Sequence, residues 1–62
     1  MLPQDPVILY SLLNMKLRDS YKSLPDLCDD LDEDEESLLV TMKNAGFVYD
    51  RDLNKFVSDR DQ

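Results

Sequence analysis

The chain has 62 residues, and its 14 Asp and Glu against 7 Lys and Arg, with no His, give a net charge of −7. A single domain of this length buries about 60% of the surface its unfolded chain exposes and keeps roughly a few kcal/mol of stability, which argues against a two-lobed enzyme with a deep cleft. The charge has the wrong sign for affinity built on phosphates or an anionic membrane surface, whereas 42% hydrophobic content with one Gly is too apolar for a disordered acidic tail.

Cys28 is the single cysteine, so no intrachain disulfide forms. Without His, the common zinc ligand sets and the Cys-His or Ser-His dyads cannot be assembled. A reducing, cytoplasmic setting is the expectation. The longest apolar run, Val7 to Tyr10, is far too short to span a bilayer, and no signal-peptide pattern opens the chain, so Met1 is read as the start of the mature protein. Charge is uneven: residues 1–22 carry three bases and two acids, residues 23–46 one base and eight acids, residues 47–62 three bases and four acids. No repeat, low-complexity tract or Gly/Ser linker interrupts the chain, which reads as one domain over 1–57 with a flexible tail over 58–62.

Asp5-Pro6 opens the first helix, because an Asp side chain accepts from early backbone donors and Pro at the first helical position loses no hydrogen bond. The helix is expected from Pro6 to about Asp19. At 100° per residue Ile8, Leu12 and Met15 make one stripe, while Leu9, Leu13, Leu17, Tyr10 and Tyr21 make a wider second one. Lys16 falls between them, and Ser11, Asn14 and Arg18 form a narrow polar strip. Ser23 caps the second helix with Asp26 three residues on, and Leu24, Leu27, Cys28 and Leu31 share its buried face. Asp34 caps the third, with Glu35 and Glu36 in the first turn where the helix dipole favours acids; Asp32 is the competing start. Leu38, Leu39, Met42 and Ala45 form its buried face, Val40 points elsewhere, and Gly46 supplies a left-handed stop.

After Gly46 the apolar period changes from 3.6 to 2. Phe47 and Tyr49 alternate with Val48 and Asp50, Asp52-Leu53-Asn54 makes a polar turn, and Lys55-Phe56-Val57 returns. A two-stranded hairpin is marginal alone, so its aromatic face must lie on the helices. The fold class is therefore α+β: a three-helix, helix-turn-helix-like domain followed by a short two-stranded antiparallel hairpin, or wing.

Leu24 to Leu31, followed by Asp34 to Gly46-Phe47, resembles in its spacing a miniature winged helix-turn-helix over residues 23–57. A closer resemblance covers nearly the whole chain. Asp5-Pro6, Ser11, Asn14, Lys16-Leu17-Arg18-Asp19, Leu27-Cys28, Leu31-Asp32, Gly46-Phe47, Tyr49-Asp50, Leu53-Asn54 and Phe56-Val57 resemble the short bacterial proteins grouped as domain of unknown function 4250. That family commonly has an aliphatic residue where this chain has Glu33, so the inter-helix turn is expected to lack a hydrophobic plug. The resemblance implies a compact bacterial domain and transfers no catalytic or binding residue.

Eight of the eleven residues from Asp26 to Glu36 are acidic, and Asp30, Asp32 and Asp34 alternate as in a calcium loop. Counting from Asp30, however, Glu35 stands where Gly is needed and Thr41 where a bidentate Glu is needed, so a solvated acidic edge is the expectation and no metal is assigned. Surface carboxylates without apolar walls do not separate two pKa values for acid–base work. Cys28 lies on the Leu face among carboxylates that raise its pKa and reads as a buried structural thiol. Ser11, Ser23 and Ser37 have no base beside them. A recognition helix presenting Glu35, Glu36, Val40 and Lys43 behind an acidic turn would meet phosphates with like charge.

The first helix carries more apolar surface than so small a fold is expected to shelter. The sequence-based reading is a noncatalytic protein-interaction module without cofactor or membrane association, homodimerising through helix one with Leu9, Tyr10, Leu13, Lys16, Leu17 and Arg18 as contact residues. Two alternatives stand beside it. One is a nucleic-acid-associated regulator with a degenerate winged helix-turn-helix, using the basic strip Lys16, Arg18 and Lys22; the other is an acidic mimic that occupies a basic protein.

Overall fold

The computed structural model describes residues 2–61, so the expectations for Met1 and Gln62 lie outside the described residues. Three helices, α1 (Pro6–Asp19), α2 (Leu24–Leu31) and α3 (Glu35–Asn44), precede an antiparallel hairpin of β1 (Phe47–Asp50) and β2 (Lys55–Ser58). This is the α+β arrangement expected from the sequence.

The helix ends follow their local chemistry. Asp5 Oδ1 accepts from the amides of Val7 at 2.9 Å and Ile8 at 3.3 Å, with Pro6 in the first turn. Ser23 Oγ accepts from the Asp26 amide at 3.4 Å. Asp34 Oδ2 accepts from the Ser37 amide at 3.3 Å and from the Ser37 hydroxyl at 2.7 Å, so Asp34 rather than Asp32 starts α3. Asp32 instead ends α2 in the left-handed region at φ 56°, where the following Glu33 amide bonds back to the Cys28 carbonyl at 2.8 Å. Gly46, at φ 93°, makes the left-handed exit from α3 that a side chain would strain.

The core is one cluster. Leu9, Leu13 and Leu17 from α1 meet Leu24, Leu27 and Cys28 from α2, Leu38 and Met42 from α3, and Phe56 from β2. In the hairpin Tyr49 pairs with Phe56 and Val48 with Val57. Cross-strand partners share a face, so Phe47, Tyr49, Phe56 and Ser58 lie on one side of the ribbon. That side is the one facing the helices: Phe56 is fully buried, Tyr49 and Phe56 have ring centroids 5.5 Å apart, and Phe47 stacks on Tyr10 at 4.3 Å.

The expected tail beginning at Ser58 is corrected. Ser58 belongs to β2 and pairs with Phe47, and Asp59–Asp61 form a 3₁₀ turn. The reason is that the ladder runs one residue past the strand: the Asp59 amide donates to the Gly46 carbonyl at 2.8 Å, and Lys43 Nζ lies 3.6 Å from Asp59 Oδ2.

Candidate functional site

Two asparagines join the hairpin to α1. Asn14, on the third turn of α1, donates through Nδ2 to the Phe56 carbonyl at 3.0 Å and accepts through Oδ1 from the Phe56 amide at 2.7 Å. Its amide plays the part of a neighbouring strand at the free edge of β2. Asn54, left-handed at φ 54°, donates to the carbonyls of Leu17 at 3.2 Å and Tyr21 at 3.0 Å, which lie at and just beyond the α1 C-terminus. The Tyr49 hydroxyl donates to Asn54 Oδ1 and accepts from the Leu24 amide at 3.2 Å, tying the hairpin loop to the start of α2. Each buried polar atom here has a partner, so these groups fasten the fold and leave nothing free for a ligand.

Alongside these joints runs an open groove of about 690 Å³ between α1 and the hairpin loop. Tyr10, Ser11, Met15 and Arg18 form its α1 wall, and Leu53 and Lys55 its hairpin wall. The loop is shaped by Asp50, whose Oδ1 accepts from the amides of Asp52 at 2.9 Å and Leu53 at 3.1 Å, and this Asx-type turn holds the Leu53 side chain out in solvent.

The sequence-predicted contact residues divide between core and surface. Leu9, Leu13 and Leu17 are 3%, 0% and 2% exposed within one chain, so they are core residues and not a docking face. The expectation that this fold could not shelter the wider stripe is overturned: β2 packs Phe56 against it while α2 and α3 close the other side. Tyr10 is half-buried under its stack with Phe47, Lys16 is half-buried, and Arg18 is exposed. Arg18 Nε contacts Asp19 Oδ1 at 2.8 Å and Nη2 contacts Oδ2 at 3.1 Å; this pairing raises the guanidinium pKa and lowers that of the Asp19 carboxyl. Tyr10, Leu17 and Arg18 line the groove, whereas Leu9, Leu13 and Lys16 do not.

The narrower stripe is the one left outside. Ile8 is 56% exposed and Met15 45%, with Leu12 half-buried between them; Val7, outside that stripe, is 65% exposed, and across the groove Leu53 is 60% exposed. Leu53 and Lys55 are not among the sequence-predicted contact residues, because Asp52-Leu53-Asn54 reads locally as a polar turn. The available signal was a large aliphatic residue inside a polar loop, where solubility alone would not place one.

The acidic edge keeps its carboxylates in water. None of the acids from Asp26 to Glu36 is buried, and none forms an ion pair among the described residues. Asp30 accepts a hydrogen bond from the Tyr21 hydroxyl, which raises the phenol pKa. Among the described residues, no group of three metal-ligating side chains converges. Cys28 is buried, and its thiol pKa is pushed up by burial and then by Glu35, Glu33 and Asp34. On α3, Glu36, Val40 and Lys43 are exposed and Glu35 is half-buried, so the outward face mixes both charges around an apolar centre. No described helix is long and apolar enough to cross a membrane.

A family model described as Domain of unknown function (DUF4250) matches residues 3–56. The chain belongs to this family. No curated protein and no solved structure matches it. Within this DUF4250 chain, most of the residues quoted above for the family likeness hold the fold together: Asp5 caps α1, Asn14 closes β2, Leu27 and Cys28 fill the core, Gly46 turns the chain, and Asn54 caps α1 through its carbonyls. Ser11, Arg18 and Leu53 have no such part and line the groove.

Proposed function

We propose that this DUF4250 domain is a noncatalytic interaction module that self-associates through the outer face of α1. The observation that carries the reading is the exposure of Val7, Ile8 and Met15 on a helix whose opposite face already completes the core. None of the described residues covers that strip, and a row of large aliphatic side chains gains by leaving water. Charge favours the same face. Residues 1–22 carry three of the seven bases and two of the fourteen acids, so two copies of a −7 chain approach there with least repulsion. The lone buried thiol and the family likeness support a reducing bacterial cytoplasm as its setting.

Light scattering at two ionic strengths tests the reading. The expected mass is near twice 7.2 kDa and persists in high salt, because apolar burial is not screened as surface charge is. A folded wild-type chain that stays monomeric throughout the micromolar to millimolar range overturns it.

The unpaired acids of the Asp26–Glu36 edge favour a second reading, in which this face occupies a basic protein. That contact weakens as salt rises, which separates it from the α1 contact.

A further inference from the structure

We infer that the outer edge of β1 is a docking site for an extended segment of another protein, which adds as a third strand in the groove between β1 and α3. In an antiparallel pair, residues alternate between bonding across the ladder and pointing their amide and carbonyl outward. Phe56 points outward, since both its backbone groups bond to Asn14, and Gly46 points inward, since its carbonyl accepts from Asp59. With Tyr49 opposite Phe56 and Phe47 opposite Ser58, the amides and carbonyls of Phe47 and Tyr49 therefore face away from β2. Among the described residues none of these four groups has a hydrogen-bond partner.

The two edges of the ribbon thus differ. On the β2 side α1 supplies Asn14, whose amide satisfies the strand. On the β1 side α3 presents Leu39, Val40, Lys43 and Asn44 across a groove of about 310 Å³ whose floor is Phe47, Val48 and Tyr49, and among the described residues neither polar side chain bonds a backbone group of β1. An apolar wall beside a row of free strand donors and acceptors is the arrangement that takes an extended main chain, with alternate side chains on the wall.

Charge selects the occupant. Lys43 is the single charged residue lining the groove and already lies 3.6 Å from Asp59; the carboxylates stand at its rim, Glu36 one helical turn before Val40 and Asp50 at the strand end, opposite Lys55 and with its Oδ1 engaged by the Asp52 and Leu53 amides. A segment with alternating aliphatic residues and a Lys or Arg beside them complements both the wall and these carboxylates, and the −7 chain draws it in.

The probe is the blocked hexapeptide Lys-Val-Lys-Val-Lys-Val, with a counterpart N-methylated at alternate residues, titrated into the nitrogen-15-labelled full chain. The expected result is amide shifts and slowed exchange at Phe47 and Tyr49, with affinity falling about tenfold on N-methylation or in Val40→Lys, a change at an exposed position. Met15→Glu, which tests the α1 reading instead, leaves this binding unchanged. Equal binding of the two peptides, shifts confined to Asp26–Glu36, or no binding at millimolar peptide overturns the inference. So does a wild-type dimer that Val40→Lys abolishes and Met15→Glu spares, which would assign the edge to a second copy.

Discussion

The Asn14 carboxamide holds Phe56 by both backbone groups, Nδ2 to the carbonyl at 3.0 Å and Oδ1 from the amide at 2.7 Å. The pair is 42 residues apart in sequence, and it fixes the strand whose side chain is the fully buried centre of the hairpin's contact with α1. Asn14→Ala leaves a donor and an acceptor of β2 without protein partners beside the core. Loss of a satisfied buried pair of this kind costs about 1–3 kcal/mol, a large part of what a domain this small holds. A urea melt followed by circular dichroism is expected to show a lower midpoint, and an unchanged midpoint would remove Asn14 from the account of the fold.

Asn54 combines two roles that substitution separates. Its backbone is left-handed at φ 54°, and its side chain reaches the Leu17 and Tyr21 carbonyls and the Tyr49 hydroxyl. Asn54→Gly keeps the backbone conformation at no steric cost and deletes the three contacts, whereas Asn54→Ala loses both. Both variants are expected to be less stable than the wild type, by about 1–3 kcal/mol for the side-chain contacts, with Ala below Gly by up to about 1 kcal/mol for the strained backbone. Equal midpoints for wild type and Gly would mean that water replaces the asparagine contacts fully.

The helix boundaries were legible in the sequence because short-range chemistry sets them, whereas the end of β2 was not, since Ser58 is held by its pairing with Phe47. Asp5, Ser23 and Asp34 cap through amides two or three residues away, and Gly46 turns the chain by itself. The aromatic face of the hairpin followed from its period of two. The use of the two α1 stripes was not legible: both are apolar, and the choice rests on how closely Phe56, from the far end of the chain, packs on Leu13 and its neighbours. The same reason hid Asn14 and Asn54, whose partners are 42, 37 and 33 residues away and which read locally as surface and turn residues. For the site, the sequence points to helix one but does not distinguish its buried side from its exposed one.

Tyr21 makes the alkaline limb of stability sensitive to one contact. Its hydroxyl donates to Asp30, and that hydrogen bond, then partial burial and the nearby carboxylate, raise its pKa above the ordinary value of 10.0. A raised folded-state pKa means the stabilisation is fully present below the unfolded pKa and is lost as pH rises through the folded one. The difference in stability between wild type and Tyr21→Phe is therefore expected to be constant at neutral pH and to shrink above about pH 10. A difference that grows with pH would mean that the phenolate, not the phenol, is the favoured partner of this edge.

Cys28 is a thiol held in reserve by burial rather than activated. Packing in the core, then the charges of Glu35, Glu33 and Asp34, push its pKa up, so the thiolate that reacts with alkylating agents is scarce. Iodoacetamide at pH 8 is expected to modify the native chain far more slowly than the urea-unfolded chain, followed by mass spectrometry. Native alkylation at the unfolded rate would show that the α2 face opens readily.

Leu13 and Ile8 decide which side of α1 is core and which is surface, and the decision is quantitative. Leu13 is fully enclosed by one chain, while Ile8 is 56% exposed. Leu13→Ala removes buried methyl groups and leaves a cavity, at about 2–5 kcal/mol, enough to unfold much of a domain this small. Ile8→Ala changes monomer stability by about 0.5 kcal/mol or less, since the lost contacts are few and Ala is the better helix former. The same contrast tests the proposed self-association. Ile8→Glu and Met15→Glu are expected to keep the helical circular dichroism signal and reduce the scattering mass toward one chain, whereas Leu13→Glu destroys the signal itself. A Leu13→Glu chain that stayed folded and merely failed to associate would return the interface to the buried stripe and contradict the packing described above.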